Sequence, residues 1–315
     1  MHNWDIEGLF IYHIKEFRAL YPTLALQYGI SEPKGIVLFV PKGNRVDSAV
    51  DLDHYFSKLQ DADVSKNIII LLEKYSYLKI YDTIRVSSDL SVRRIRCFLS
   101  QSSNLTFVYT NHCKVIRRYA VAFYLKASSC LNYFMVITDC DTLKKDLTVI
   151  LEGENSTAKM NGLYLMDSNQ KFHLNVLQKH KKGSTVSDFA VYGIISGRSE
   201  VWFKGNVVVE KYVTEVTVSQ CNKILLFGNE SYVESMPALE IENNDVQCKH
   251  ATAVGQLDAN KLFYLQSRGL SSTKAQALLI EAFFDSFKKA LDTRAVKKEI
   301  IQTIKYKMKR MDIYE

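Results

Sequence analysis

The sequence has little glycine or proline and no long apolar run. Its 315 residues include 13 Gly and 4 Pro, too few for a collagen-like or low-complexity chain. The longest apolar runs, such as Ile68–Leu72, fall far short of the ~20 residues that a membrane-spanning helix needs. A hydrophobic fraction of 47% with 24% charged residues argues against general disorder. We therefore expect a packed globular protein with no membrane partner.

Several chemical signatures are also missing. The six cysteines are irregularly spaced and form no C-x-x-C pair, which is not the pattern of a disulfide framework, so we expect reduced thiols. The first residues lack the basic and apolar segments of a secretory signal. No G-x-x-x-x-G-K-[ST], G-x-S-x-G or H-E-x-x-H pattern occurs. The chain is therefore predicted to have no nucleotide-hydrolysing site of its own.

Positive charge is concentrated near one end. Residues 258–315 carry twelve basic and seven acidic side chains, whereas the other 257 residues carry 29 and 27. Within the end segment, Lys288–Arg310 has nine basic and two acidic residues. A nucleic-acid-binding protein that uses this basic helix is a distant alternative. A solvated outer helix face is the favoured interpretation.

Hydrophobic periodicity divides the chain into three regions. Residues 5–20 place apolar side chains at helical spacing before Pro22, which predicts one amphipathic helix in an N-terminal segment, residues 1–34. Residues 35–257 carry short β-branched and aromatic runs separated by turn-forming clusters. Residues 258–315 return to helical spacing. We therefore predict a mainly β protein with a short N-terminal helix and a C-terminal α-helical domain.

The strand-rich region contains no helical stretch of crossover length, which argues against alternating βαβ units. From the pattern alone a sandwich, a barrel and a β-solenoid remain open, and the number of strands favours the solenoid. A carbohydrate-active solenoid enzyme would normally be exported and needs paired carboxylates. The missing export signal argues against that class.

The C-terminal region predicts two capped helices and a third beyond them. Asp258 is expected to cap a helix through Gln266, and Ser271 or Ser272 to cap the next one. A final helix is predicted around residues 296–308. The second helix is expected to present one apolar stripe: Ala275, Leu278, Leu279, Ala282, Phe283 and Phe287, with Phe284 beside it.

The chemistry-bearing feature is Cys248-Lys249-His250 at the end of the last β segment. On a strand, Cys248 and His250 point to one face and Lys249 to the other. A thiolate beside an imidazole binds soft metals such as iron or zinc, and a nearby cation is expected to favour the thiolate. Taken alone, the pair is more typical of a buried cysteine beside a histidine bonded to the backbone. Two ligands also cannot complete a four-coordinate site.

Two other sets of residues are interpreted as structural. His180 precedes Lys181-Lys182-Gly183-Ser184, which favours a turn histidine over a loop ligand. Arg93, with the neighbouring arginines, is expected on a solvated strand face.

Four motifs near the end of the β region and the start of the helical region can be compared with known families: Pro237–Ile241, Asn244–His250, Val254–Asp258 and Leu262–Gly269. Together they resemble the SufB/SufD family of iron–sulfur cluster assembly scaffolds. The residue after His250 is Ala251, where SufB members usually have Glu, so the form is closer to the SufD branch. The Ala251-Thr252-Ala253 sequence departs from the Gly-Ala-Thr that commonly follows in the family, and the N-terminal region is shorter.

The resemblance implies a right-handed parallel β-helix followed by a helical domain. It implies a scaffold that pairs through the β-helix with a SufB-like chain, with a transient Fe–S cluster at that interface. The Cys and His of the motif carry over to Cys248 and His250. The C-terminal helices would dock a SufC-like ATPase through Leu262, Phe263, Tyr264, Arg268, Gly269, Leu279, Phe283 and Phe284.

Alternatives within the family are a SufB-type and a homodimeric scaffold, and the isolated chain is a candidate homodimer. The expected location is the bacterial cytosol, or the plastid stroma in a plastid-bearing organism.

Overall fold

The structure is a computed structural model that describes residues 6–56, 66–84, 91–112, 114, 116–227, 230–290, 301–302, 305–306 and 308–309. Within that part of the chain, almost all strands belong to two stacked sheets. The first sheet contains, in spatial order, β1 (Phe10–His13), β2 (Ile36–Val40), β4 (Asn67–Leu72), β6 (Val92–Leu99), β8 (Arg118–Leu125), β10 (Thr142–Leu151), β12 (Lys171–His180), β14 (Glu200–Val209) and β16 (Tyr232–Ile241).

The second sheet consists of the strands that alternate along the chain with those of the first sheet. It contains, in spatial order from the opposite end, β17 (Val246–Gly255), β15 (Val216–Phe227), β13 (Val186–Ser196), β11 (Thr157–Met166), β9 (Cys130–Asp139), β7 (Asn104–His112), β5 (Tyr77–Ile84) and β3 (Arg45–Asp51). From β2 onward, the chain alternates between the two sheets and pairs each strand in parallel with the strand two places later. The result is a parallel β-solenoid of about seven turns, as expected from the strand-rich pattern.

Each turn of the solenoid contributes one strand to each of the two sheets. The register joins Thr142 to Lys171 and Lys171 to Glu200, a step of 29 residues. Alternate side chains point into the space between the sheets, where a continuous apolar core is buried. Phe107, Phe123 and Phe172 are among its largest fully buried side chains.

Stacked corners hold successive turns in register. Ser102, Ser128 and Asn155 adopt positive φ at corresponding corners. The backbone amide of Ser102 donates to the carbonyl of Ala127 in the next turn, and that of Ser128 donates to Glu154. The residue after each corner is a serine whose hydroxyl donates to a carbonyl three residues earlier: Ser103 to Ser100, Ser129 to Lys126 and Ser156 to Gly153. These side-chain bonds satisfy polar groups that would otherwise be buried without partners.

Helices cover part of each outer face. At the N-terminal end, α1 (Ile14–Leu20) and α2 (Pro22–Gln27) pack on the outward residues of β2 and β4. After α4 (Ala259–Ser267), α5 (Ser272–Phe283) and α6 (Asp285–Ala290) pack on the outer face of the second sheet. A short α3 (Leu52–Phe56) follows β3. No helix in the described ranges is long and apolar enough to cross a membrane.

The prediction of one helix over residues 5–20 is wrong in its first half. Phe10–His13 forms β1, which pairs antiparallel with β2 at the first edge of the sheet. Tyr12 then stacks beside Phe17 of α1, and both are buried. The aromatic and β-branched residues at 10–12 favour an extended strand where a neighbouring edge is available. The apolar spacing thus continues from a strand into a helix.

The expectation of a solvated Arg93 is also wrong. Arg93 is buried inside the solenoid, where it pairs with the carboxylate of Asp82. The hydroxyl of Tyr119 donates to the same carboxylate at 2.7 Å. The side chain of Arg93 points inward from β6. Its positive charge is stable there because the carboxylate of Asp82 compensates it.

Candidate functional site at the open end of the solenoid

The last turn of the solenoid exposes two strand edges side by side. β16 ends the first sheet and β17 ends the second. Five of the ten residues of β16 and eight of the ten residues of β17 are exposed, whereas nearly all inward residues of the preceding β14 and β15 are buried. Leu239, which points inward from β16, is 45% exposed, and Val254 of β17 is equally so. An uncovered strand edge presents unpaired backbone donors and acceptors to another chain.

Cys248 and His250 lie on the inward face of β17. The register places Cys248 beside Val218 and His250 beside Gln220. Val218 and Gln220 are buried in the solenoid interior, so their partners in β17 point toward the same space at its open end. The sequence-based expectation that the two side chains share one face is confirmed by this register.

The two groups differ in their surroundings. Cys248 is exposed, but partial desolvation raises the pKa of its thiol. Lys249 points to the other face of β17, as the sequence predicted, and desolvation sets the direction of the shift in the pKa of the thiol. His250 is half-buried, and its Nδ1 and Nε2 atoms are both shielded from solvent without a hydrogen-bond partner among the described residues. Its ring is therefore not the backbone-bonded histidine that was the alternative.

Behind His250, a chain of buried polar groups continues into the solenoid. The amide nitrogen of Gln220 donates to Oε1 of Gln178 at 3.1 Å. Nε2 of Gln178 donates to the hydroxyl of Ser187 at 2.7 Å and to the carbonyl of Ser219 at 3.3 Å. The Ser187 hydroxyl in turn lies 2.8 Å from Nε2 of His180. A connected set of polar side chains thus lies inside the last turns of the solenoid.

His180 is the last residue of β12, not a turn residue as expected. It is fully buried, and its second nitrogen, Nδ1, lies 2.7 Å from the hydroxyl of Thr185. Burial lowers the pKa of His180 to about 4, so the imidazole is neutral at physiological pH. Gln178 and Gln220 were not identified from the sequence. Both are polar residues at strand positions where the alternating pattern expects a buried apolar side chain, and this mismatch is the signal that could have identified them.

A second surface feature lies between α4 and α5. Asp258 caps α4 by accepting from two backbone amides, and Ser271 caps α5, as the sequence predicted. The two helices enclose a groove of about 740 Å³. Tyr264, Leu278, Leu279 and Ala282 are among its lining residues. α5 therefore has two apolar faces, one against the sheet and one on this groove, and not the single stripe expected.

The residues predicted for ATPase docking separate into three groups. Tyr264 and Leu279 line the groove, and the side chain of Phe263 is 73% exposed beside it. Phe284 is 1% exposed and belongs to the cluster packed on the second sheet, so it does not lie on a free surface. Phe283 contacts Tyr192 of the sheet edge-on. The remaining members, Leu262, Arg268 and Gly269, are partly or fully exposed on α4 and its C-terminal end.

The final helix, predicted around residues 296–308, falls largely outside the described residues. Within 301–302, 305–306 and 308–309 the backbone is helical, and Met308 is buried in the cluster that holds α5 and α6 on the sheet. The nucleic-acid alternative rests on this segment and stays a prediction.

Comparison with known proteins identifies the family. A family model described as SUF system FeS cluster assembly, SufBD core domain, matches residues 55–283, which is more than half of the chain. The chain belongs to the SufBD family. The match includes the open end of the solenoid, with Cys248 and His250, and helices α4 and α5.

Three relatives of this SufBD family member come from three different bacteria. SufD of Escherichia coli is 25% identical over 298 residues, which cover 93% of this chain and 68% of that protein. A SufBD family iron–sulfur cluster assembly protein of Mycobacterium leprae is 27% identical over 187 residues, covering 56% and 47%. SufD of Bacillus subtilis is 28% identical over 118 residues. The chain thus spans two thirds of the first relative and about half of the second.

Proposed function

We propose that the chain is a non-enzymatic scaffold subunit for iron–sulfur cluster assembly that uses the open end of its solenoid to pair with a SufB-like chain. The observation that supports this is the coincidence of two free strand edges with an inward-facing cysteine and histidine on one of them. Strand edges bind partners through backbone hydrogen bonds. Ligands on such an edge are then enclosed between the two chains.

Cys248 and His250 supply a soft and a borderline ligand for iron. The transient Fe–S cluster is the cargo of the site, and the ligands that complete its coordination come from the second chain. The raised pKa of the Cys248 thiol means that metal binding must displace its proton. We therefore assign His250 the leading role and Cys248 a supporting one.

The geometry of His250 suits a site that forms only on pairing. Both ring nitrogens are shielded, but no hydrogen bond holds the ring in place. Rotation of the side chain toward the open end therefore breaks no hydrogen bond within the chain. Ligands on an approaching strand would meet the ring at the edge of β17.

The groove between α4 and α5 is the proposed docking surface for a SufC-like ATPase. It combines an apolar lining with exposed aromatic side chains at Phe263 and Tyr264. Exposed aromatic residues beside an apolar groove are typical of interface anchors. ATP hydrolysis is then supplied by the partner.

The proposed location is the cytosol or a plastid stroma, and a chloroplastic family member exists in Arabidopsis thaliana.

Pairing through the open end is tested by a matched pair of charge substitutions. Leu239 is at the open end, whereas Leu26 is 85% exposed on α2 at the other end of the solenoid. We expect Leu239→Asp to abolish the complex with a co-expressed SufB-type chain in native mass spectrometry and Leu26→Asp to leave it intact. Equal complex formation by both variants would overturn the proposed interface. A homodimer that persists beside an added SufB-type chain would favour the homodimeric scaffold.

A further inference from the structure

We infer that Gln220 positions His250 for ligation, by accepting a hydrogen bond from the ring nitrogen that does not bind the cluster. This inference rests on the proposed function, because it assigns a role to a residue behind the proposed ligand. Histidine ligands usually donate their second N–H to an oxygen acceptor, which fixes the tautomer and orientation of the ring. Among the described residues, Gln220 is the register neighbour of His250 and carries such an oxygen acceptor.

The orientation of the Gln220 amide follows from its neighbours. The carbonyl of Ser219 can only accept, so the atom of Gln178 that faces it must be the amide nitrogen. Oε1 of Gln178 is then the acceptor for the amide nitrogen of Gln220. Consequently Oε1 of Gln220 is the end of this amide that is left to accept another bond.

That oxygen is buried and has no partner. Gln220 is 2% exposed, and its Oε1 atom makes no hydrogen bond within the described chain. A buried acceptor without a partner costs free energy, so its presence calls for a reason. The nitrogen of the amide faces Gln178 in the preceding turn, and the oxygen diverges from that direction. His250 is the register neighbour of Gln220 in the following turn.

The opposite sheet leaves room for this arrangement. Gly205 of β14 lies across the interior, and a Cβ atom there would come within 2.4 Å of Oε1 of Gln220. A larger residue at position 205 would therefore displace the amide. Glycine at this position and the bond from the Gln220 nitrogen to Gln178 thus leave room for the oxygen inside the turn of β14 and β15, on which β17 of the last turn stacks.

The experiment uses the complex with a SufB-type partner, with ¹⁵N-histidine only in this chain and Zn²⁺ alone as a diamagnetic probe. We expect Zn²⁺ to shift one ring nitrogen of His250 and to leave the other protonated in a single tautomer. Gln220→Leu should weaken Zn²⁺ binding about 10- to 100-fold and mix the tautomers. Gln220→Glu, which keeps an acceptor, should restore both properties. Gly205→Ala should weaken binding in the same direction without removing the amide.

Asn222→Leu is the matched control, because Asn222 is a buried amide on the same face of β15 that donates to Ser235 instead. The inference would be overturned if Gln220→Leu bound Zn²⁺ as tightly as the unmodified complex and kept His250 in a single tautomer. A loss that Asn222→Leu reproduces, or that Gln220→Glu fails to restore, would also overturn it, since either marks a structural role. If His250→Ala binds Zn²⁺ as well as the unmodified complex, the proposed function itself fails, whatever Gln220 does.

Discussion

Nε2 of His180 lies 2.8 Å from the hydroxyl oxygen of Ser187, and both residues are fully buried. With Thr185 on its other nitrogen, the imidazole has a hydrogen-bond partner on each side and no neighbouring carboxylate among those partners. A neutral ring satisfies this arrangement, with one nitrogen donating and the other accepting. Protonation of His180 would turn the accepting nitrogen into a donor and place a charge in the interior.

The first prediction concerns the pH dependence of stability. The pKa of His180 is about 4 in the folded chain, below its ordinary value near 6.5, so between these values the unfolded chain binds a proton that the folded chain does not. His180 therefore makes the free energy of unfolding decrease as the pH falls from 6.5 to 4, by roughly 3 kcal/mol in all. Urea unfolding at several pH values, compared with His180→Gln, measures this contribution. The same pH slope in both proteins would contradict it.

A second prediction concerns Lys145 in the apolar middle of the solenoid. Its Nζ atom makes no hydrogen bond and lies 3.5 Å and 3.7 Å from the ring centroids of Tyr109 and Tyr119. Burial lowers the pKa of Lys145 well below its ordinary value, so folding at neutral pH carries the cost of deprotonating or desolvating it. Lys145→Met should raise the free energy of unfolding at pH 7 by about 1–3 kcal/mol. This gain should shrink as the pH rises toward 10.5, because the unfolded lysine then loses its charge.

Thermal unfolding of Lys145→Met at pH 7 and pH 10 gives the comparison. A lower melting temperature than the unmodified chain at pH 7 would show that the aromatic contacts of the ammonium outweigh its burial.

The third prediction separates packing from docking in the C-terminal helices. Phe284→Ala should lower the free energy of unfolding by about 3–5 kcal/mol, because the side chain is buried between α5 and the sheet. Phe263→Ala should change it by less than about 0.5 kcal/mol while it weakens binding of the SufC-like ATPase. Denaturant unfolding and calorimetric titration with the ATPase measure the two effects. A Phe263→Ala protein with full ATPase affinity would remove this face of α4 from the docking surface.

The architecture was largely predictable because strand pattern and helix caps are local signals. The strand runs of the core and the caps at Asp258 and Ser271 occur where the sequence places them. The repeat is hard to see from the spacing of the strands, because each turn of the solenoid contains two strands. The corner residues would have revealed it: Ser102-Ser103, Ser128-Ser129 and Asn155-Ser156 recur at near-constant spacing.

Only the outermost residues of the candidate site could be predicted from the sequence. Cys248 and His250 are two positions apart on one strand, so the alternation of side chains along a strand places both on the same face from the sequence alone. The residues behind them come from different turns: Gln178 and Gln220 are 42 positions apart and meet only through the stacking of β12, β13 and β15. The burial of Arg93 depends in the same way on Asp82 from the previous turn. Such pairs depend on which residues of neighbouring strands lie opposite each other, and the hydrophobic pattern of the sequence does not predict that register.

The most direct test of the account is the cluster content of the reconstituted complex with His250 replaced by Ala. This chain, a SufB-type chain and a SufC-type ATPase are assembled anaerobically with iron and sulfide, and iron and sulfide per complex are measured. His173→Ala is the control, since His173 stacks on Trp202 at the outer face of the first sheet. We predict that His250→Ala assembles the three chains normally but loses most of the cluster, while His173→Ala retains it. A full complement of iron and sulfide in the His250→Ala complex would contradict the account.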